Sequence, residues 1–177
     1  MFLIGEQINC TRKPIARAAK KQDSERIQRS ATRQTEAGAA CLDVNGGVAE
    51  FEEVYLSWLV DVIQDVTDVP LCLDSPDPKA LATALPRCQK RPMINSITNE
   101  KDRVDAILPL VIEYQTGIVA LCMDENGYPT SADDRVEMAS SLIDTLTSAD
   151  VPLDRIYIDP AVFPISTDVT TGQAVLR

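Results

Sequence analysis

An α/β fold built on a parallel sheet follows from three features of this sequence. Short apolar, β-branched runs recur along its 177 residues, and longer segments with a three/four apolar repeat separate them. Each run is too short and too apolar for a sheet with one wet face, so helices must cover both faces. The content of 45% hydrophobic and 25% charged residues supplies the core that one domain of this length needs.

The candidate strands, in order, are Leu3–Ile8, Cys41–Val44, Leu71–Leu73, Met93–Ile94, Ile118–Met123 and Ile156–Ile158. Between the first two, a long helix opens at the capping residue Asp23 or Ser24 and stops at Gly38. The next helix carries the stripe Tyr55, Trp58, Leu59, Val62, Ile63 and Val66. Asp77, with Pro78 at the first helical position, opens the third. Asn99 opens the fourth, whose stripe is Val104, Ile107, Leu108, Val111 and Ile112 and whose stop is Gly117. Ser131 opens the fifth, with Val136, Ala139, Leu142, Ile143 and Leu146 on its apolar face.

Strand starts recur about every 31 residues, the size of one unit of a (β/α)8 TIM barrel, and eight such units take roughly 250 residues. The expectation is therefore a single domain, 1–177, covering about the first six strands of a barrel that is C-terminally incomplete. A doubly wound open sheet is the rival. Its glycine fingerprint is missing from the first turn, Gly5-Glu6-Gln7-Ile8-Asn9, and Gly46-Gly47 is a weak phosphate signal.

Composition excludes several function classes. A formal charge of −10 has the wrong sign for neutralising phosphates, so neither nucleic acid nor an anionic membrane is expected as a partner. No apolar stretch approaches a membrane span, and MFLIGEQINC is too soon polar for a signal peptide, so a cytoplasmic protein is expected. Cys10, Cys41, Cys72, Cys88 and Cys122 form no C-x-x-C pair and read as reduced, mostly buried thiols. Histidine is absent, which removes Ser-His and Cys-His nucleophiles and the common zinc sites.

In a barrel the functional face lies at the C-terminal ends of the strands. Here those ends are Glu6 and Asn9, Asp43 and Asn45, Asp74-Ser75, Asn95-Ser96, Met123-Asp124, and Asp159-Pro160. Such an acceptor-rich cup suits a neutral or cationic ligand with several N–H donors and is a poor cradle for phosphate. Crowded carboxylates raise one another's pKa, so one of them can hold a proton. The same oxygens could cage Mg²⁺ or Ca²⁺, but Asn is as frequent as Asp among them, and no metal is expected. Asp124, Asn45 and Ser75 also suit simple helix capping, whereas Asp74, Asn95 and Asp159 directly end apolar strands at one level.

The segments LIGEQIN, TEAGAACLDVN, LCLDS, MINSITNE, MDENGYPTSADDR and YIDP, in this order and spacing, resemble the pterin-binding methyltransferase family. Within it they are most similar to the methyltetrahydrofolate:corrinoid/iron-sulfur protein methyltransferases. The resemblance spans essentially the whole sequence. It implies a pterin ring held in the barrel mouth by Asp74, Asn95 and Asp159, with Asp43, Asn45 and Ser96 in the same cup. It further implies methyl transfer between N5 of tetrahydrofolate and the cobalt of a corrinoid on a partner protein, and a homo-oligomer, a dimer in the family. Asn95 is the implied catalytic residue, together with a seventh-strand Asn of a G-L-S-N segment that this sequence does not contain. The D-x-H-x-x-G corrinoid signature is absent, as the lack of histidine requires. Two other readings stay open: a pterin-binding or partner-pairing barrel fragment without catalysis, and a dihydropteroate synthase. The D-S-F-S-D loop of the latter is replaced here by Asn9-Cys10-Thr11-Arg12.

Overall fold

A computed structural model describes residues 1–47, 52–163, 166 and 169–176. Among the described residues, six parallel strands alternate with helices and follow one another in chain order through the sheet, which is the predicted pattern for the first six strands of a (β/α) barrel. The chain divides into two compact units, Met1–Asn95 and Ser96–Arg177.

The first unit contains β1 (Ile4–Asn9), α1 (Lys13–Lys21), α2 (Ser24–Glu36), β2 (Cys41–Asn45), α3 (Glu52–Gln64), β3 (Leu71–Asp74), α4 (Pro78–Ala84) and most of β4 (Met93–Ile97). Its core is aliphatic: Ile8, Ile27, Leu42, Leu56, Leu59, Ile63, Leu71, Leu73, Leu81 and Ile94 are fully buried or nearly so. Two expected starts are present, with Asp23 accepting from the Arg26 amide and Asp77 from the Lys79 amide. Gly38 follows the end of α2 with φ +97°, a conformation open chiefly to glycine.

Three features of this unit differ from the sequence reading. The short α1 was not expected, because only Ile15, Ala18 and Ala19 are buried along it. Leu59, Val62 and Ile63 of the expected stripe are buried in α3, where Leu56 and Val60 join them because a helix this apolar buries more than one stripe, while Val66 lies past the helix end at Gln64 and is exposed. Between Gly5 and Ile8 the β1–β2 register shifts, and the Gln7 amide donates to Gln34 Oε1 rather than to β2. A Cβ at Gly5 would lie 2.6 Å from that same oxygen, so a side chain there would push Gln34 out of this bond.

The second unit contains α5 (Lys101–Tyr114), β5 (Gly117–Leu121), α6 (Ala132–Ser148), β6 (Ile156–Asp159) and α7 (Val169–Val175). Asn99 does not cap α5. Its side chain donates to the Met138 carbonyl, and the Lys101 amide is taken by Glu125 Oε1. Gly117 starts β5 instead of stopping α5, because Gln115, at φ 50°, takes the left-handed turn. Ser131 behaves as expected: it accepts from the Asp134 amide, and Asp134 accepts from the Ser131 amide, a complete capping box. Ser131→Ala should lower the unfolding free energy by about 1 kcal/mol, read as a lower urea midpoint at unchanged slope.

Among the described residues, no helix is long and apolar enough to cross a membrane.

Candidate functional site

Strand register builds the site in the first unit. Asp43, Cys72 and Met93 pair across β2, β3 and β4 at one level, and Asn45, Asp74 and Asn95 pair at the next, nearer the C-terminal ends. Side chains two residues apart on a strand share a face, so all six point the same way. Asn9, at the end of β1, is in register with Asn45.

Two carboxylate–amide pairs interlock on this face. The Asn45 side-chain amide donates to Asp74 Oδ2 at 2.8 Å, and the Asn95 amide donates to Asp43 Oδ2 at 3.1 Å. The second bond passes over β3. Strands two places apart in a flat sheet lie roughly 9–10 Å from each other, so this face is concave. Asn45 is used at both ends, since its Oδ1 accepts from the Gly47 amide at 2.7 Å. Gly47 itself sits at φ +92°, with Cys10 3.1 Å from where a Cβ would be, so a side chain there would be both strained and crowded.

Burial separates the roles of these groups. Asp43 is 4% exposed and Asn45 is 8% exposed, whereas Asp74 and Asn95 are more open. Burial is the main cause that pushes the Asp43 carboxyl up to about 7. The neighbouring Asp74 and Glu6 charges push the same way, while hydrogen bonds from Asn95 and the Cys72 thiol oppose the rise. Cys72 is pushed well above the usual thiol range by burial and by Asp43, and Cys41 to about 12.

A buried acidic residue unforeseen from the sequence holds the segment that follows β3. Glu52, at the start of α3 and 7% exposed, accepts from the Ser75 hydroxyl at 2.6 Å. Ser75 Oγ also accepts from the Asp77 amide, and the Ser75 amide donates to the Asn95 carbonyl at 3.2 Å. The segment leaving Asp74 is thus held by α3, α4 and β4 together. Burial raises the Glu52 pKa and the Ser75 hydrogen bond partly offsets it. A glutamate opening a helix reads as a macrodipole partner, so nothing local in the sequence marked it.

The remaining expected residues fall in the second unit. Ser96 alternates with Asn95 along β4, and its carbonyl accepts from Arg103 Nε at 2.9 Å. Asp159 ends β6, is exposed, and accepts from the Ala161 amide at 2.9 Å, while its carbonyl accepts from the Cys122 amide. Arg135, only 5% exposed, donates to the Pro160 carbonyl at 2.9 Å and to the Ser131 carbonyl at 2.8 Å, so α6 fixes the turn after Asp159. Tyr128 and Phe163 meet edge to face in the loops that follow β5 and β6, with ring centroids 4.9 Å apart. Among the described residues, no three His, Cys, Asp or Glu side chains group as metal ligands.

Comparison with known proteins gives a consistent result. The sequence model described as "Pterin binding enzyme" matches residues 5–177. The chain is 34% identical, over 95% of its length, to a methylcorrinoid:tetrahydrofolate methyltransferase of Eubacterium limosum, and spans 63% of that protein. It is 30% identical, over 94% of its length, to a methionine synthase of Mycobacterium leprae, of which it spans 14%. Among solved structures, it superposes on dihydropteroate synthase of Xanthomonas albilineans with 4-aminobenzoic acid at a TM-score of 0.73 and 20% identity. That match covers 99% of this chain and 64% of the other. The dihydropteroate synthase of Thermus thermophilus gives a TM-score of 0.69 at 21% identity, covering 99% and 65%. At such identities the structural matches show the fold alone.

Proposed function

The chain belongs to the pterin-binding enzyme family, and on that premise we propose that residues 1–177 form the pterin-binding domain of a methyltransferase. It moves a methyl group between N5 of tetrahydrofolate and the cobalt of a corrinoid carried on a partner protein. The observation that carries this reading is the pair of interlocked carboxylate–amide bonds at the ends of β2, β3 and β4. They set acceptor oxygens on a concave face, and a pterin edge offers the matching ring N–H and exocyclic amino donors. The name of the Eubacterium limosum relative supports the corrinoid and tetrahydrofolate assignments.

In this reading Asp74, Asn95 and Asp159 contact the pterin edge. Asp43 and Asn45 complete the cup around them, and Ser96 borders it as the neighbour of Asn95 on the other face of β4. A tertiary amine such as N5 is a poor leaving group, so transfer from it needs a proton or an equivalent hydrogen bond as the bond to the methyl breaks. Asn95 is proposed to stabilise the reacting pterin through its edge, together with a seventh-strand Asn that by analogy with the family takes the hydrogen bond to N5. The methyl acceptor or donor is the partner's cobalt, so no nucleophile is required of this chain. A homodimer in the cytoplasm is the assembly proposed with this activity.

Titration with 5-methyltetrahydrofolate by calorimetry tests the binding step, and transfer of a labelled methyl group to a corrinoid protein tests the reaction. Saturable binding followed by transfer is expected. Absence of binding by folded protein, or condensation of p-aminobenzoate with a pterin pyrophosphate in its place, overturns the reading.

A further inference from the structure

We propose that Asp43 is a positioning residue that decides which end of the Asn95 side-chain amide faces the ligand. An ionised carboxylate can only accept hydrogen bonds. With Asp43 charged, the Asn95 NH₂ group must therefore point at it, as the 3.1 Å bond records, and Asn95 Oδ1 is turned away as an acceptor. A protonated Asp43 becomes a donor. Asn95 Oδ1 can then accept a hydrogen bond from it, the amide turns over, and its NH₂ faces the cup in place of its oxygen.

Asn45 has no such freedom, because Asp74 holds its NH₂ and the Gly47 amide holds its oxygen. Asn95 is thus the one amide of the pair whose orientation a single carboxyl sets. The groups facing Asp43 are Glu6 from β1, Cys41 from its own strand, Cys72 and Asp74 from β3, and Asn95 from β4. Except for Asn95 these are acids or thiols, and burial together with the acidic charges puts the changeover near neutral pH, at about 7. Asp43 therefore acts through Asn95 on ligand choice: a donor-rich edge such as that of a pterin is favoured when Asp43 is charged.

Side-chain amide signals of the protein labelled with ¹⁵N-asparagine test this without any ligand. The Asn95 NH₂ pair, assigned by its loss in Asn95→Ala, should move between pH 5.5 and 8.5 while the Asn45 pair stays put, and Asp43→Asn should abolish the movement. An Asn95 pair insensitive to both pH and Asp43→Asn overturns the proposal, and the wild-type titration decides the matter even if the variant folds poorly. The second arm rests on the pterin reading. If only the form with Asp43 ionised binds, 5-methyltetrahydrofolate affinity should rise about tenfold from pH 6 to pH 8 in wild type, and stay flat in Asp43→Asn. Amide movement without pterin binding would sink the pterin reading and leave the proposal standing. Pterin binding with a motionless Asn95 pair would do the reverse.

Discussion

Asp74→Ala is expected to weaken 5-methyltetrahydrofolate binding by about 100- to 1000-fold, the equivalent of roughly 3–4 kcal/mol. Two losses combine. The ligand loses a charge-assisted hydrogen bond, a contribution of about 1.5–3 kcal/mol. In addition, the Asn45 NH₂ group loses its 2.8 Å partner, and a bound ligand would displace the water that can replace that partner in the free site. Asn45→Ala should cost less, about tenfold, because Asp74 keeps its carboxylate. Calorimetric titration of the two variants, with melting curves to show that both remain folded, checks the order. Equal losses, or a larger one for Asn45→Ala, would remove Asp74 from its place as the principal contact.

Asp43→Asn is expected to stabilise the fold at alkaline pH while it impairs the site. The folded-state pKa of about 7 lies above the ordinary 3.8, so the folded protein holds this proton more tightly than the unfolded chain does. Stability therefore falls as pH rises from about 4 to about 7 and is level above that. Asparagine keeps the shape and removes the buried charge. The variant should match wild type near pH 4.5 and exceed it by about 2 kcal/mol at pH 8. Urea unfolding at the two pH values measures the gap, and a variant no more stable than wild type at pH 8 refutes the account. A residue that costs the fold stability near neutral pH is what a functional constraint produces.

How far the sequence led depends on whether the interactions were local. Asp77 with the Lys79 amide and Ser131 with Asp134 are contacts within one helical turn, and both helix starts were readable from the chain. Strand ends such as Asp74 and Asn95 were legible because an apolar run stops there. The bonds between them were not. Asn45 and Asp74 are 29 residues apart, and Asn95 and Asp43 are 52 apart. Those pairings depend on register and on the curl of the sheet, which no local pattern records. Glu52 and Arg135 escaped for a related reason: a charge on a helix reads as solvated until tertiary packing buries it. Asn99 misled because an Asx residue ahead of a helix has the composition of a cap, while its amide is used 39 residues away at Met138.

The five thiols, four buried and Cys88 half-buried, bear on how this molecule can be followed in solution. Burial holds Cys10 near 11, Cys41 and Cys88 near 12, and both Cys72 and Cys122 above the usual range. A thiol so held is almost never a thiolate at neutral pH and hardly reacts with alkylating reagents until its surroundings open. Cys10, Cys41, Cys72 and Cys88 belong to the unit Met1–Asn95, and Cys122 belongs to the unit Ser96–Arg177. Alkylation mapped by mass spectrometry therefore times the opening of each unit separately, with no introduced probe, and slower labelling of Cys41 and Cys72 would be a direct footprint of an occupied cup.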